Sequence, residues 1–218
     1  MSQHDGTIHN AAGINVTHLG DEEELVRGLL RMIGEDPTRE GLRDTPARVV
    51  KAWKEWAAGY RMDPAAILKT FSDGAPDKRT KGGLAGHATL DEMVIVHNIP
   101  VVSKCEHHMA DIIGIAHVGY IPDQRIVGLS KLARLVEVYA RRLQVQERMT
   151  NQIADDLITH LAPLGAGCII RAAHHCMSTR GVRIHGSVTT TCALRGAMFV
   201  HPSTRAEFLQ LCRDAQTS

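Results

Sequence analysis

Two short segments of the chain concentrate side chains able to hold a metal ion and move protons. Cys105-Glu106-His107-His108 sets a thiol and an imidazole three residues apart, close enough to share one ion, and zinc favours that mixture of donors. A later segment, Ala173-His174-His175-Cys176, supplies a second histidine–cysteine run and a third candidate ligand in Cys176. Three protein ligands leave the fourth position of a tetrahedral zinc open for water, the arrangement of a catalytic rather than a structural site. His107 and His174 then remain. An imidazole titrates near neutral pH, so each is a candidate to shuttle protons to a leaving nitrogen, or else to orient a ligand through a hydrogen bond. Strand alternation would turn His175 to the face opposite His174 and Cys176, so it receives no role. Cys168, Cys192 and Cys212 lack histidine neighbours in sequence and are expected to be packing residues.

A second kind of chemistry is signalled at Gly128-Leu129-Ser130-Lys131-Leu132-Ala133-Arg134. Ser130 reads as a helix cap after a glycine turn, with free backbone N–H groups and the positive end of the helix dipole beside it. Lys131 and Arg134 add two cations to that end, together a candidate polyphosphate site. Arg180, soon after Cys176, would bring a further cation beside the metal. Between two predicted helices, Gln144-Val145-Gln146-Glu147-Arg148 offers a carboxylate that could accept two hydrogen bonds from a guanine edge; a solvated surface glutamate is the plainer alternative.

The bulk of the sequence frames these signals. A chain of 218 residues can bury roughly 70% of the surface its unfolded form exposes, so it needs no disulfide staples. With 25 basic and 24 acidic residues the net charge is +1, too balanced to attract nucleic acid or an anionic membrane. Any phosphate site must therefore be a local cluster of cations. No apolar run reaches the roughly 18 residues of a membrane span, and the first residues lack the pattern of a secretory signal. Five cysteines, an odd number, argue for a reducing, cytoplasmic setting rather than a disulfide framework.

The elements that must position these residues follow from periodicity. Residues 1–20 read as a flexible arm and 21–71 as a helical region. Asp21 caps a first helix, with Glu24 as in a capping box and Leu25, Val26, Leu29, Leu30 and Ile33 at helical spacing. Thr45-Pro46 opens a second helix whose Trp53 and Trp56 suit a core or a subunit interface. The Gly-, Lys- and Asp-rich residues 72–90 form a loop. From 91 to 218 the texture turns to β at MVIVHNIPVV, IAHVGYIP and RIVGL, then to two helices over 130–162. Two further strands follow at 167–176 and about 187–199, and a helix from Thr204 to Arg213 closes the chain. Separate blocks of helices and strands indicate an α+β fold with a small antiparallel sheet, whose open edges suggest oligomerisation.

The strings CEHH, GLSKLAR, RRLQVQER, HHCMSTRGVR and TRAEFL, in this order and at this spacing, resemble GTP cyclohydrolase I. The likeness runs from about 21 to 213 and includes EDPTREGLRDTPARVVKAW and LDEMVIV. It implies zinc ligation by Cys105, His108 and Cys176, and catalysis by His107 and His174. It further implies triphosphate binding by Ser130, Lys131, Arg134 and Arg180, and guanine recognition by Gln146 and Glu147. The implied fold is the tunnelling fold: a four-stranded antiparallel sheet with two helices between its hairpins and a helical N-terminal extension. Its sheets assemble into a toroid, here implied to be a homodecamer with sites at subunit boundaries. The implied reaction is hydrolysis of GTP to 7,8-dihydroneopterin triphosphate and formate, the entry to tetrahydrofolate-type pterins. Asp111 and Ile115 depart from the proline and lysine many relatives carry there, and His97 stands where a basic residue is usual. A zinc nucleobase deaminase would need H-x-E followed by P-C-x-x-C, and neither string occurs.

Overall fold

The computed structural model describes residues 21–72, 92–123 and 125–215. The arm expected over 1–20 and nearly all of the loop expected over 72–90 lie outside them. In chain order the elements are α1 (Glu22–Met32), α2 (Thr45–Trp56), α3 (Pro64–Ile67), β1 (Thr70–Ser72), β2 (Val94–Cys105), β3 (Asp111–Ile121), β4 (Arg125–Val127), α4 (Leu129–Ala140), β5 (Leu143–Gln144), α5 (Gln146–Leu161), β6 (Gly165–His174), α6 (His175–Ser178), β7 (Thr189–Gly196), α7 (Ala197–Val200) and α8 (Pro202–Asp214). The main sheet runs β5-β2-β3-β6-β7. Its four long strands pair antiparallel, as expected, while β5 adds two residues parallel to β2. A second, two-stranded sheet pairs β1 with β4, and nothing in the periodicity foreshadowed it.

Helices α4 and α5 cover one face of the sheet. In α4, Leu132, Leu135, Val136 and Tyr139 are buried, as their spacing predicts; in α5 the stripe is Met149, Ile153, Ala154, Leu157 and Leu161. Each fully buried large side chain here contributes about 1.5–3 kcal/mol. The second helix stops where expected: Ala162 takes a left-handed conformation (φ 49°) after Leu161 and before Pro163. On the other side, Phe208 and Cys212 of α8 pack with Ile121, Ile169 and Met198 in a smaller core.

Several local expectations shift. Asp21 does cap α1, accepting from Glu23 N at 3.1 Å, but the Glu24 carboxylate turns to Arg31 and Arg27 instead of closing a capping box. Helix α2 has Asp44, not Thr45, at its N-cap, and Asp44 spends its side chain on Arg48. Likewise α4 is preceded by Gly128, so Ser130 is its second residue rather than its cap. Strand β7 ends at Gly196 because the backbone there takes φ 57°, and a Cβ would sit 2.4 Å from Leu164 O. The closing helix starts at Pro202, whose fixed φ suits a first helical turn.

Candidate active site

The loop between β2 and β3 brings the first two candidate ligands together. Met109 N donates to Cys105 O at 2.7 Å, closing one helical turn, so Cys105 and His108 share a side of it. Cys105 N bonds Ala110 O at 2.8 Å, and Glu106 N bonds Gln144 O at 3.1 Å, which ties the turn to β5. Cys176 arrives by register. Ile112 pairs with His174, so whatever follows His174 emerges beside this loop. Strand β6 ends there and His175–Ser178 coils into a short helix. The alternation argument applied to His175 therefore fails, since neither His175 nor Cys176 is on a strand.

The sulfur atoms of Cys105 and Cys176 and one ring nitrogen of His108 lie within 4.8 Å of one another. Cys105 is buried, Cys176 half-buried and His108 exposed, so the cluster opens to solvent on its imidazole side. Burial, then the hydrogen bond to Cys105, pushes the Cys176 thiol up, with Arg180 opposing. Two thiols and an imidazole with no carboxylate among them form a donor set suited to zinc, with a fourth position left for a small ligand.

Around the cluster stand the two further histidines. His107 is exposed, its Nδ1 3.9 Å from Cys105 Sγ and its Nε2 3.8 Å from Glu106 Oε1. His174 Nε2 lies 2.7 Å from Gln146 Oε1. The Gln146 amide nitrogen meets three oxygens at 3.1 Å each: Ile170 O, Thr189 O and Thr191 Oγ1. Three acceptors around that nitrogen settle which way the amide points. Its oxygen can only accept, so His174 Nε2 carries the proton and Nδ1 carries the lone pair when the ring is neutral. Burial lowers the His174 pKa and favours that neutral ring, with Glu147 pulling the other way.

The two residues implied to meet a guanine thus part company. Gln146 is fully buried beneath the sheet, while Glu147, one position round the helix, is exposed. The signal was present in the sequence: stepping back from Met149, Ile153 and Leu157 in helical phase puts Gln146 on the core stripe. The cations also divide. Arg180 Nη1 lies 3.3 Å from His108 Nε2, beside the cluster. Arg134, by contrast, lines a groove with Ile99, Pro100 and Val102, residues of β2 that precede Cys105. Ser130 is exposed and Lys131 half-buried on the first turn of α4.

Behind the site, Lys104 is buried and forms an ion pair with Asp111, its ammonium 3.8 Å from the centre of the Trp56 ring. Trp53 stacks edge-on against Trp56 at 5.4 Å, so the tryptophan pair docks α2 on the base of the metal loop. Asp111, one of the departures noted above, therefore has a partner of its own. Glu106 pairs with Arg148, whose Nε reaches Gln144 Oε1 at 3.3 Å.

An antiparallel sheet backed by two helices, with a Cys/His/Cys cluster able to hold a metal ion and two further histidines at one end, is the architecture of an α+β metalloenzyme. The family model for GTP cyclohydrolase I matches residues 22–213. The GTP cyclohydrolase 1 of Nitrosospira multiformis is 50% identical over 183 residues, which is 84% of this chain and 90% of that protein. That of Janthinobacterium sp. is 50% identical over 188 residues, 86% of this chain and 89% of its own length. The Mycolicibacterium vanbaalenii protein of the same name is 49% identical over 208 residues, 93% of this chain and 96% of its own. The chain belongs to the GTP cyclohydrolase I family, and its α+β architecture is the tunnelling fold that the sequence resemblance implied.

Proposed function

We propose that the chain hydrolyses GTP at C8 and releases that carbon as formate, leaving 7,8-dihydroneopterin triphosphate. The observation that carries this reading is the convergence of Cys105, His108 and Cys176, with His107 and a tautomer-locked His174 beside them. Zinc held by those three residues would supply the Lewis acidity that makes water nucleophilic near pH 7.

The chain's own side chains do the rest. His174, held through Nε2–H by Gln146, presents Nδ1 as the atom that takes a proton from the attacking water. That proton then goes to the imidazole-ring nitrogen leaving C8. His107, exposed at the other side of Cys105, holds a second proton for the same bond cleavage. A second hydrolysis releases formate, and the freed amine recloses on the rearranged ribose. Across both hydrolyses and the ring closure, one water is consumed per GTP. Glu147 accepts two hydrogen bonds from the guanine edge. Gln146 acts through His174 as a positioning residue.

Arg180 meets the triphosphate from within the subunit. Ser130, Lys131 and Arg134 meet it from a neighbouring subunit: on one chain Arg134 lines the groove against β2, and Ser130 and Lys131 sit on the first turn of the same helix. Two features favour such an assembly, a homodecamer with toroidal sheets. Among the described residues, strand β2 pairs with β5 only at Lys104 and Cys105, which leaves most of its outer edge without a strand partner there. Leu25, Leu29, Met32 and Ile33 also expose the apolar face of α1. No helix among the described residues is long and apolar enough to cross a membrane. All five cysteines are free, which suits a reducing cytoplasm.

Zinc-loaded protein incubated with GTP is expected to yield formate and, after oxidation, a fluorescent pterin in equal amounts. Neither product from folded, zinc-loaded protein would overturn the reading.

A further inference from the structure

A second group of metal-binding side chains lies at the opposite end of β2. His97 and His117 offer one ring nitrogen each and Cys212 its sulfur, all within 4.8 Å of one another. The three come from β2, β3 and α8, and nothing in the reaction above uses them. Counted along the strand, His97 lies eight positions before Cys105, on the order of 25 Å.

The fold builds this cluster with a local irregularity. Val96 pairs with Val118 and Ile99 with Ala116, so His97 and Asn98 together face the single residue His117. This is a β-bulge, and Asn98 takes φ 54° to make it. The bulge brings His97 Nδ1 to 3.2 Å from His117 Nδ1, with the rings inclined at 65°. Asn98 Nδ2 also reaches Ala215 O at 3.3 Å, holding the end of α8 over the bulge. Cys212, in the last turns of α8, is thereby held within 4.8 Å of a nitrogen of each ring and is buried, as is His117; His97 is half-buried and gives access from solvent.

The distances match a tetrahedral ion. With Zn–N near 2.05 Å, two imidazoles on one zinc have nitrogens roughly 3.3 Å apart, and an imidazole nitrogen and a thiolate roughly 3.6 Å apart. The histidine pair already has the first spacing. The sulfur needs to close by at most about 1.2 Å to reach the second. The alternative is a plain hydrogen bond between two histidines beside a packed thiol, as Cys212 was expected to be.

We propose that His97, His117 and Cys212 form a second metal site, taking one borderline-soft divalent ion such as zinc and stapling α8 to the sheet. Binding displaces the Cys212 thiol proton to solvent and forms a sulfur–metal bond; no electrons are transferred. The fourth position is left to water. Three protein ligands and a water are also the arrangement of a catalytic zinc, but the role assigned here is to tie α8 to the sheet, independent of the reading of Cys105, His108 and Cys176.

The test is metal content per folded chain after zinc loading and desalting. Wild type is expected to hold two equivalents, and Cys105→Ala/Cys176→Ala one. Cys212→Ser is also expected to hold one and to keep formate release. Cobalt bound to Cys105→Ala/Cys176→Ala should show thiolate-to-metal charge-transfer absorption that disappears on adding Cys212→Ser. Because Cys212 is buried and its variant could unfold, His97→Gln at the half-buried position serves as a second probe and should also lose one equivalent. One equivalent in wild type, none in folded Cys105→Ala/Cys176→Ala, or two in folded His97→Gln would each overturn the proposal.

Discussion

Replacing Gln146 by methionine separates a positioning role from a merely structural one. The substitution nearly conserves volume, so repacking costs less than about 1.5 kcal/mol. It removes the acceptor of His174 Nε2–H and the donor shared by Ile170 O, Thr189 O and Thr191 Oγ1. Thr191 Oγ1 keeps Thr150 Oγ1 at 2.6 Å, and Ile170 and Thr189 keep their places in the β6–β7 ladder. The dominant loss is the orphaned His174 N–H, worth about 1–3 kcal/mol. For a chain of this size each kcal/mol moves Tm by roughly 2–4 °C, so a fall of roughly 2–12 °C is expected. Once released, the His174 ring has no fixed tautomer, and loss of such an orienting partner typically costs 10–100-fold. Formate release measured against GTP concentration at 25 °C, where the variant stays folded, should show kcat down by that factor. KM and zinc content should hardly change. Gln146→Glu again offers His174 an acceptor but sets a carboxylate against three oxygens, so it should recover turnover while losing further stability. Wild-type kcat in folded Gln146→Met would refute the tautomer argument.

Three further outcomes follow from the same geometry. His107→Ala should keep its zinc, since the ring is exposed and outside the ligand set, while formate release falls by about 10²–10⁴-fold; metal analysis alongside the rate checks both halves. Arg134→Ala and His107→Ala homo-oligomers, each impaired alone, should regain formate release when unfolded together and reassembled, because mixed boundaries restore some complete sites; no gain over the unmixed samples would place all the cations in one subunit's site. Asp111→Ala strands the buried Lys104 ammonium, partly compensated by Trp56, and is expected to destabilise the fold by about 1–3 kcal/mol in a denaturant titration; an unchanged midpoint would mean that the pair contributes nothing.

How much of this was legible in the sequence depended on the range of each interaction. Cys105 and His108 share one turn, so their spacing alone carried the argument. Cys176 needed only the register of β3 against β6. The burial of Leu132, Leu135, Val136 and Tyr139 likewise followed from helical phase, which local sequence encodes directly. Gln146 came into the guanine set through the family resemblance, while the phase of α5 alone put it on the buried stripe. The caps of α2 and α4 slipped because Gly128 and Asp44 can start a helix without a side-chain bond. The cluster of His97, His117 and Cys212 was invisible for a different reason. It joins three elements distant in the chain through a bulge whose position no local pattern marks. Pairing of β1 with β4 is similarly long-range and rests on three residues per strand.

The most direct test of the central claim follows the fate of C8 itself. GTP isotopically labelled at that carbon, incubated with the zinc-loaded protein and observed by NMR, should deliver the label to formate, one per GTP consumed, and Cys176→Ser should deliver none. Label retained in the nucleotide or pterin, or formate from folded Cys176→Ser at the wild-type rate, would contradict the account.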